Sequence, residues 1–154
     1  MEVELKLEPG RPEPKILILA GEETEELRRL IQELSGMTWG PIPVWREERS
    51  RSFPQGSFLR FFTLGKGVAA QTEEGEWEVH LRLYELEEVL DRRRFVRISN
   101  SEIINLDRVT AVDLSVTGTI KMTLDGTTEC YVSRRYVKKI KETLQLRGRK
   151  TDEK

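Results

Sequence analysis

The stretch FVRISNSEIINLDRV, residues 95–109, carries the pattern that decides the fold. Its first five residues combine aromatic and β-branched side chains, which favours a β-strand that buries Phe95, Val96 and Ile98. A short polar segment, residues 99–101, follows before the apolar run EIINL. The stretch therefore predicts a strand that ends in an exposed polar tip.

The side chains around this tip suit recognition better than bond-breaking chemistry. Arg97 is a cation, Ser99 and Ser101 carry hydroxyls, and Asn100 carries an amide; the four include neither a carboxylate pair nor a metal ligand set. Such groups bind phosphate oxygens and base edges. Asn100 has a structural alternative, as a turn former or as a helix N-cap before EIINL, and the residues alone leave that alternative open.

Charge is distributed unevenly along the chain. Residues 1–91 hold 11 Lys and Arg against 19 Asp and Glu, whereas residues 92–150 hold 14 against 6. The second segment thus carries a net charge of about +8, although the whole chain carries -1. A basic segment of this strength is typical of a polyanion binder, although a solvated basic face is equally compatible with it.

Length and composition exclude several classes of protein. A chain of 154 residues makes one domain with a small appendage. Cys130 has no partner for a disulfide, and we find neither a signal segment nor a long apolar run, so we expect a cytoplasmic protein. With one histidine and one cysteine, a zinc site or a nucleophile–base pair is disfavoured. We therefore predict no enzyme activity, no catalytic residues, no metal and no cofactor.

Residues 1–36 are predicted to form a β-β-α extension. VELKLE (3–8) alternates apolar and polar residues, and KILILA (15–20) follows a turn-rich segment. A helix is then predicted with Thr24 as its N-cap and Gly36 at its end. Its apolar positions fall at helical spacing on one face.

A linker and a polar tail are predicted on either side of the main domain. Residues 37–58 contain Pro41, Pro43 and Pro54, which indicates an irregular linker. Residues 148–154 form a polar tail.

From Leu59 onward the pattern is mostly β. Short apolar-alternating runs separated by turn dipeptides predict antiparallel strands. LYELEEVL (83–90) and RRYVKKIKETL (134–144) have apolar residues at helical spacing, which predicts two helices. The expected fold class is mostly β (α+β), with antiparallel sheets and short helices.

Four segments in order carry a family resemblance: LRFFTLGKG, LRLYELEEVL, FVRISNSEIINLDRVTAV and TGTIKMTLDGTTECYVSRRYVKKIKETL. Residues 59–147 resemble the LytTR DNA-binding domain of bacterial transcription regulators. With its short extension, the whole chain is similar to the stand-alone LytTR regulators. Those are commonly encoded beside a small multi-pass membrane protein that restrains them, so the resemblance implies such a partner.

The resemblance also implies site residues. Members of the family insert loops into consecutive major grooves on one face of the duplex. The base-reading positions implied here are Lys66 between two glycines, Asn100 and Arg135. The implied contacts to the DNA backbone are Arg97, Ser99, Ser101, Tyr131, Ser133, Arg134 and Lys138.

The chemistry of these residues agrees with the implied roles. An arginine such as Arg135 can bind guanine O6 and N7 with two hydrogen bonds, and Asn100 can pair with the N6/N7 edge of adenine. Arg134 and Arg135 begin a predicted helix, where the helix dipole disfavours positive charge. A bound DNA phosphate would offset this unfavourable interaction.

Two hypotheses follow for the function. In the first, the chain is a sequence-specific DNA-binding transcriptional regulator that acts on a repeated site as a weak homodimer, formed through the N-terminal extension. In the second, the β domain is a protein-interaction module whose basic face docks an acidic or membrane-protein partner. The two differ in salt dependence, because DNA binding weakens by a log-log slope of about -0.9 per neutralised phosphate.

Overall fold

The computed structural model describes residues 1–11, 15–35 and 40–152. The chain divides into two compact units, residues 1–34 and residues 35–154. The second unit consists of antiparallel β-sheets with short helices, so the predicted fold class is confirmed.

The N-terminal unit contains the predicted helix, α1, at Glu25–Ser35. The backbone N–H of Leu27 donates to Thr24 Oγ1 at 3.2 Å, so Thr24 caps the helix as predicted. Glu25 and Glu26 lie in the first turn, where the helix dipole favours negative charge. Gly36, the predicted end of the helix, lies outside the described residues, as does the predicted boundary with the linker.

The two strands predicted in this unit were wrong. Residues 3–8 and 15–20 have no regular secondary structure. Val3 and Leu19 are 92% and 86% exposed. A segment of alternating apolar and polar residues forms a strand only when a neighbouring strand forms hydrogen bonds with its backbone N–H and C=O groups. Within the described part of this unit, no strand pairs with either segment.

Seven antiparallel strands form the large sheet of the second unit, in the order β2-β1-β5-β4-β3-β7-β6. The strands are β1 (Ile42–Arg46), β2 (Arg49–Phe53), β3 (Phe58–Leu64), β4 (Gly67–Thr72), β5 (Gly75–Val79), β6 (Phe95–Ser99) and β7 (Glu102–Asn105). The stretch that opens with Phe95 thus forms the edge strand β6 and its neighbour β7, joined by a tight turn.

The prediction of an irregular linker at residues 37–58 was wrong for β1 and β2. These strands form a hairpin, and Trp45 of β1 pairs with Glu78 of β5, which joins the hairpin to the sheet. The connecting turn is Glu47-Glu48, with φ of 48° and 67°. Two glutamates are unusual in left-handed backbone, where glycine and asparagine are the common turn signals, so the hairpin has no recognisable sequence signature.

A second sheet has three antiparallel strands in the order β10-β9-β8. They are β8 (Val109–Asp113), β9 (Ile120–Leu124) and β10 (Thr128–Val132). The turn between β9 and β10 contains Asp125 and Gly126 with φ of 48° and 74°, as expected for an Asp-Gly hairpin. The described part of this unit also contains two α-helices, α2 (Leu83–Val89) and α3 (Arg134–Asp152).

The large sheet separates two hydrophobic clusters. Ile103 and Ile104 are adjacent on β7 and belong to different clusters, because successive strand residues point to opposite faces. One cluster includes Phe61 and Leu86, and packs beneath α2. The other packs against the small sheet and Ile140 of α3. Full burial of each such side chain contributes roughly 1.5–3 kcal/mol, so the sheet edge that carries β6 and β7 is firmly held from both sides.

The segment predicted as a polar tail, residues 148–154, overlaps the C-terminal end of a helix. Helix α3 continues to Asp152, and residues 153–154 lie outside the described residues. The sequence places several cations near the C-terminal end of α3, where the helix dipole favours positive charge.

Candidate nucleic-acid interface

The fold brings together the three segments that the sequence singled out. They are the β3–β4 turn, the β6–β7 turn and the start of α3. The Thr63 N–H donates to the Ser101 carbonyl at 2.9 Å, which ties the end of β3 to the β6–β7 turn. The Ser133 N–H donates to the Ile98 carbonyl at 2.8 Å, which ties the start of α3 to β6. The segments that carry Lys66, Asn100 and Arg135 are therefore neighbours.

The β6–β7 turn is stabilised by its own hydroxyl groups. The Ser101 N–H donates to Ser99 Oγ at 3.2 Å, and the two serine hydroxyls lie 3.2 Å apart. Asn100 is exposed in the turn, and β7 begins at Glu102. Because a strand and not a helix follows, Asn100 forms a turn and does not cap a helix.

Arg97 points inward and holds this turn. Its Nε donates to the Ser99 carbonyl at 2.7 Å, and its Nη2 donates to the Asn100 carbonyl at 2.6 Å. Its Nη1 pairs with Glu87 of α2. Only 17% of the side chain is exposed. The structure therefore uses Arg97 to position the turn, a role that the sequence prediction of a phosphate contact did not include.

Tyr136 orients the Asn100 amide. The Tyr136 hydroxyl donates to Asn100 Oδ1 at 3.2 Å, while the Tyr136 ring packs against the core that contains Ile140. Within the described part of the chain, Asn100 Nδ2 has no hydrogen-bond partner and is free to donate. Tyr136 is not among the site residues predicted from the sequence. No local pattern signals this contact, because the two residues are 36 positions apart.

The start of α3 presents cations. Arg134, Arg135 and Lys138 are exposed, and the first turn of the helix contains no acidic residue. The Arg135 guanidinium carbon lies 5.8 Å from the centre of the Tyr136 ring. The helix dipole disfavours cations at a helix N-terminus, and here these cations concentrate positive charge beside Asn100.

Three predicted site residues have different environments. Ser133 Oγ is buried without a hydrogen-bond partner among the described residues, so this hydroxyl is not accessible to a phosphate in the present conformation. Tyr131 on β10 is half exposed, at 52%. Lys66 is exposed at the tip of the β3–β4 turn, beside Gly65 with φ of 61°.

Glu102 is the carboxylate nearest to the turn in sequence. Its Oε2 lies 3.1 Å from Arg60 Nη1. Burial raises the pKa of Glu102, and the hydrogen bond from Arg60 partly offsets this rise. The paired carboxylate adds little free negative charge beside Asn100. Burial also raises the pKa of the Cys130 thiol to about 12, so this cysteine stays protonated and is a poor nucleophile.

In residues 1–11, 15–35 and 40–152, no group of three or more His, Cys, Asp or Glu side chains is arranged to hold a metal ion. Across the same described ranges, no helix combines the length and apolar character needed to span a membrane.

Comparison with known proteins gives a consistent result. The family model described as LytTr DNA-binding domain matches residues 54–145. The solved LytTr DNA-binding domain of a Bacillus cereus protein superposes with a TM-score of 0.65 over 68% of this chain and 95% of that chain, at 19% sequence identity. At this identity the likeness concerns the fold alone.

Sequence relatives extend the comparison. Two proteins of Staphylococcus aureus, from strains NCTC 8325 and COL, are 41% identical to this chain over 88 residues. Both are described as uncharacterized HTH-type transcriptional regulators. The match spans 57% of this chain and 59% of each relative.

Proposed function

The chain belongs to the LytTR DNA-binding domain family, and on this premise we propose that it is a sequence-specific DNA-binding transcriptional regulator. One observation supports this proposal above the others. The Asn100 amide is exposed, oriented by Tyr136 and backed by a turn that Arg97 holds. A fixed amide beside a basic helix start is suited to recognising a base edge next to a phosphate backbone.

In the proposed complex, three residues read bases in consecutive major grooves. Asn100 uses its free Nδ2 to donate to adenine N7 and its Oδ1 to accept from adenine N6. Arg135 binds guanine O6 and N7. Lys66 reaches a base edge from the β3–β4 turn. Each good bidentate pair contributes about 1–3 kcal/mol of discrimination against the wrong base.

The remaining residues would set the register on the duplex. Ser101, Arg134, Lys138 and Tyr131 are exposed to differing degrees and are proposed to bind phosphates. Arg97 and Ser99 are proposed to act mainly by holding the turn, because their polar groups bond within the protein. Ser133 would bind phosphate only after its hydroxyl becomes accessible.

The proposal includes partners besides DNA. A weak homodimer, formed through residues 1–36, would place one protomer on each repeat of the operator. The exposed apolar side chains of the N-terminal unit favour an association of this kind. A small multi-pass membrane protein that restrains the regulator is a further partner implied by the family resemblance. A regulator with these proposed roles would act in the cytoplasm.

The test is selection of bound fragments from a random duplex pool by the purified full chain. We expect one enriched motif with two repeats separated by one or more helical turns. The Asn100→Ala/Arg135→Ala variant should lose the enrichment, whereas Lys141→Ala, which removes an exposed cation elsewhere on α3, should keep it.

Absence of any motif from a folded protein would contradict the proposal and favour docking of an acidic protein on the basic face. Salt dependence gives a second criterion. Binding to a selected site should weaken with added salt by a log-log slope of about -0.9 for each neutralised phosphate. A nearly flat dependence would also favour the protein-interaction alternative.

A further inference from the structure

A cavity lies at the open edge of the large sheet, beside β6. Its volume is about 380 Å³. Helices α2 and α3 both pack against β6, and residues of both helices line the cavity. Small-molecule sites in proteins occupy about 300–1,000 Å³, so the space is sufficient for a small ligand.

The lining combines an apolar floor with a cationic rim. Phe95, Ile103 and Leu106 are buried residues of the floor, with exposed fractions of 6%, 1% and 7%. The charged residues that line the rim are Arg92, Arg97, Lys139 and Glu87. Three cations thus face one carboxylate, which leaves the rim with net positive charge.

Two of these cations are available to a ligand. Arg97 and Glu87 pair with each other. Arg92 and Lys139 form no side-chain hydrogen bond or ion pair within the described part of the chain. An unpaired cation beside an apolar floor attracts a group that carries both negative charge and hydrocarbon.

We propose that this cavity binds a small amphipathic carboxylate. The carboxylate would lie between Arg92 and Lys139, and the hydrocarbon would cover Phe95 and Leu106. A DNA phosphate could use the cations but has no hydrocarbon to pack against the apolar lining, so the lining fits an organic anion better than a nucleic acid.

A ligand in the cavity would affect the hydrogen bonds that hold the β6–β7 turn. Arg97 lines the cavity and also donates to the carbonyls of Ser99 and Asn100. A carboxylate near Arg97 competes for its N–H groups and adds negative charge close to the DNA-binding face. We therefore expect the ligand to weaken DNA binding several-fold, and DNA to weaken ligand binding by the same factor. This coupling rests on the proposed function, whereas the binding itself does not.

The binding test uses octanoate as the probe and octanamide as its neutral match. Amide resonances of the full chain are followed by NMR during titration in the absence of DNA. Octanoate should bind with a dissociation constant on the order of 1 mM, as expected for a small ligand, and should shift the resonances of Phe95 and Leu106. Octanamide should bind at least several-fold more weakly.

Matched variants test the site. Arg92→Gln/Lys139→Gln should weaken octanoate binding about tenfold, because it removes two charge-assisted contacts. Lys141→Gln, on the same helix but outside the cavity, should leave it unchanged. An unaltered far-ultraviolet circular dichroism spectrum verifies that each variant is folded.

Two results would overturn the proposed site: no saturable shift with octanoate, or equal binding by wild type and the double variant. Equal affinity for octanoate and octanamide would overturn the role of the cations. Octanoate binding without any change in DNA affinity, in a protein that recognises its DNA motif, would overturn the coupling alone.

Discussion

Two exposed turns carry proposed base-reading residues, and the fold holds them differently. The β6–β7 turn is bonded to Arg97, to Tyr136 and to the end of β3. At the β3–β4 turn, Lys66 forms no hydrogen bond or ion pair within the described residues. A side chain that is ordered before binding loses less conformational entropy when it binds. We therefore expect Asn100 to contribute more to specificity than Lys66.

The largest expected effect comes from Arg97→Ala, which would remove the support of the β6–β7 turn. Hydrogen bonds to a charged group contribute roughly 1.5–3 kcal/mol each, so we expect affinity for the selected site to fall about 100-fold. Fluorescence anisotropy with labelled duplex measures this change, and Arg93→Ala is the control because its side chain is 61% exposed. If the variant bound the selected site as tightly as the wild type, DNA binding by the β6–β7 turn would not depend on Arg97.

Asn100→Ala tests whether the β6–β7 turn reads a base. It should remove about 1–3 kcal/mol of discrimination at one base pair, the position that the amide is proposed to read. Affinity for random duplex should stay nearly constant. The measurement compares binding to the selected site with binding to its single-base variants. An equal loss on every sequence would mean that Asn100 contributes only to the backbone contacts.

Tyr136→Phe tests whether orientation of the amide matters. Loss of the hydroxyl hydrogen bond should reduce discrimination at the position read by Asn100 by about 0.5–1.5 kcal/mol. In a double-mutant cycle, Tyr136→Phe should have no further effect when Asn100 is already alanine. Tyr84→Phe is a control, since Tyr84 is an exposed residue of α2. Additive effects in the cycle would refute the orienting role.

Lys66→Ala should have the smallest effect. Ordering a lysine side chain costs up to about 2 kcal/mol, which offsets much of the contact that it forms. We expect less than about 1 kcal/mol of discrimination to be lost, at a base pair distinct from that read by Asn100. Competition binding against single-base variants measures it. A loss of base discrimination as large as that caused by Asn100→Ala would contradict the expectation that Asn100 contributes more to specificity than Lys66.

Local patterns predicted much of the fold. Thr24 caps α1, and the Asp125-Gly126 turn joins β9 to β10. In these cases the deciding interactions lie between residues close in sequence, so propensity and periodicity are sufficient.

Local sequence patterns did not predict strands correctly where the result depends on partners that are distant in sequence. The hairpin of β1 and β2 joins the large sheet through Trp45 and Glu78, and its Glu47-Glu48 turn has no common signature. The segments at 3–8 and 15–20 show strand-like sequences without strand partners in the described unit. Whether such a segment becomes a strand depends on what lies beside it, which a short window of sequence does not contain.

The sequence by itself determined the chemical groups of the candidate site: an amide in a tight turn, cations at a helix start and a basic second half. Only the tertiary structure decided their directions. It turned Arg97 inward, buried the hydroxyl of Ser133 and placed Tyr136 against Asn100. The physical reason is that a polar side chain follows its available hydrogen-bond partners, and some of those partners lie tens of residues away along the chain.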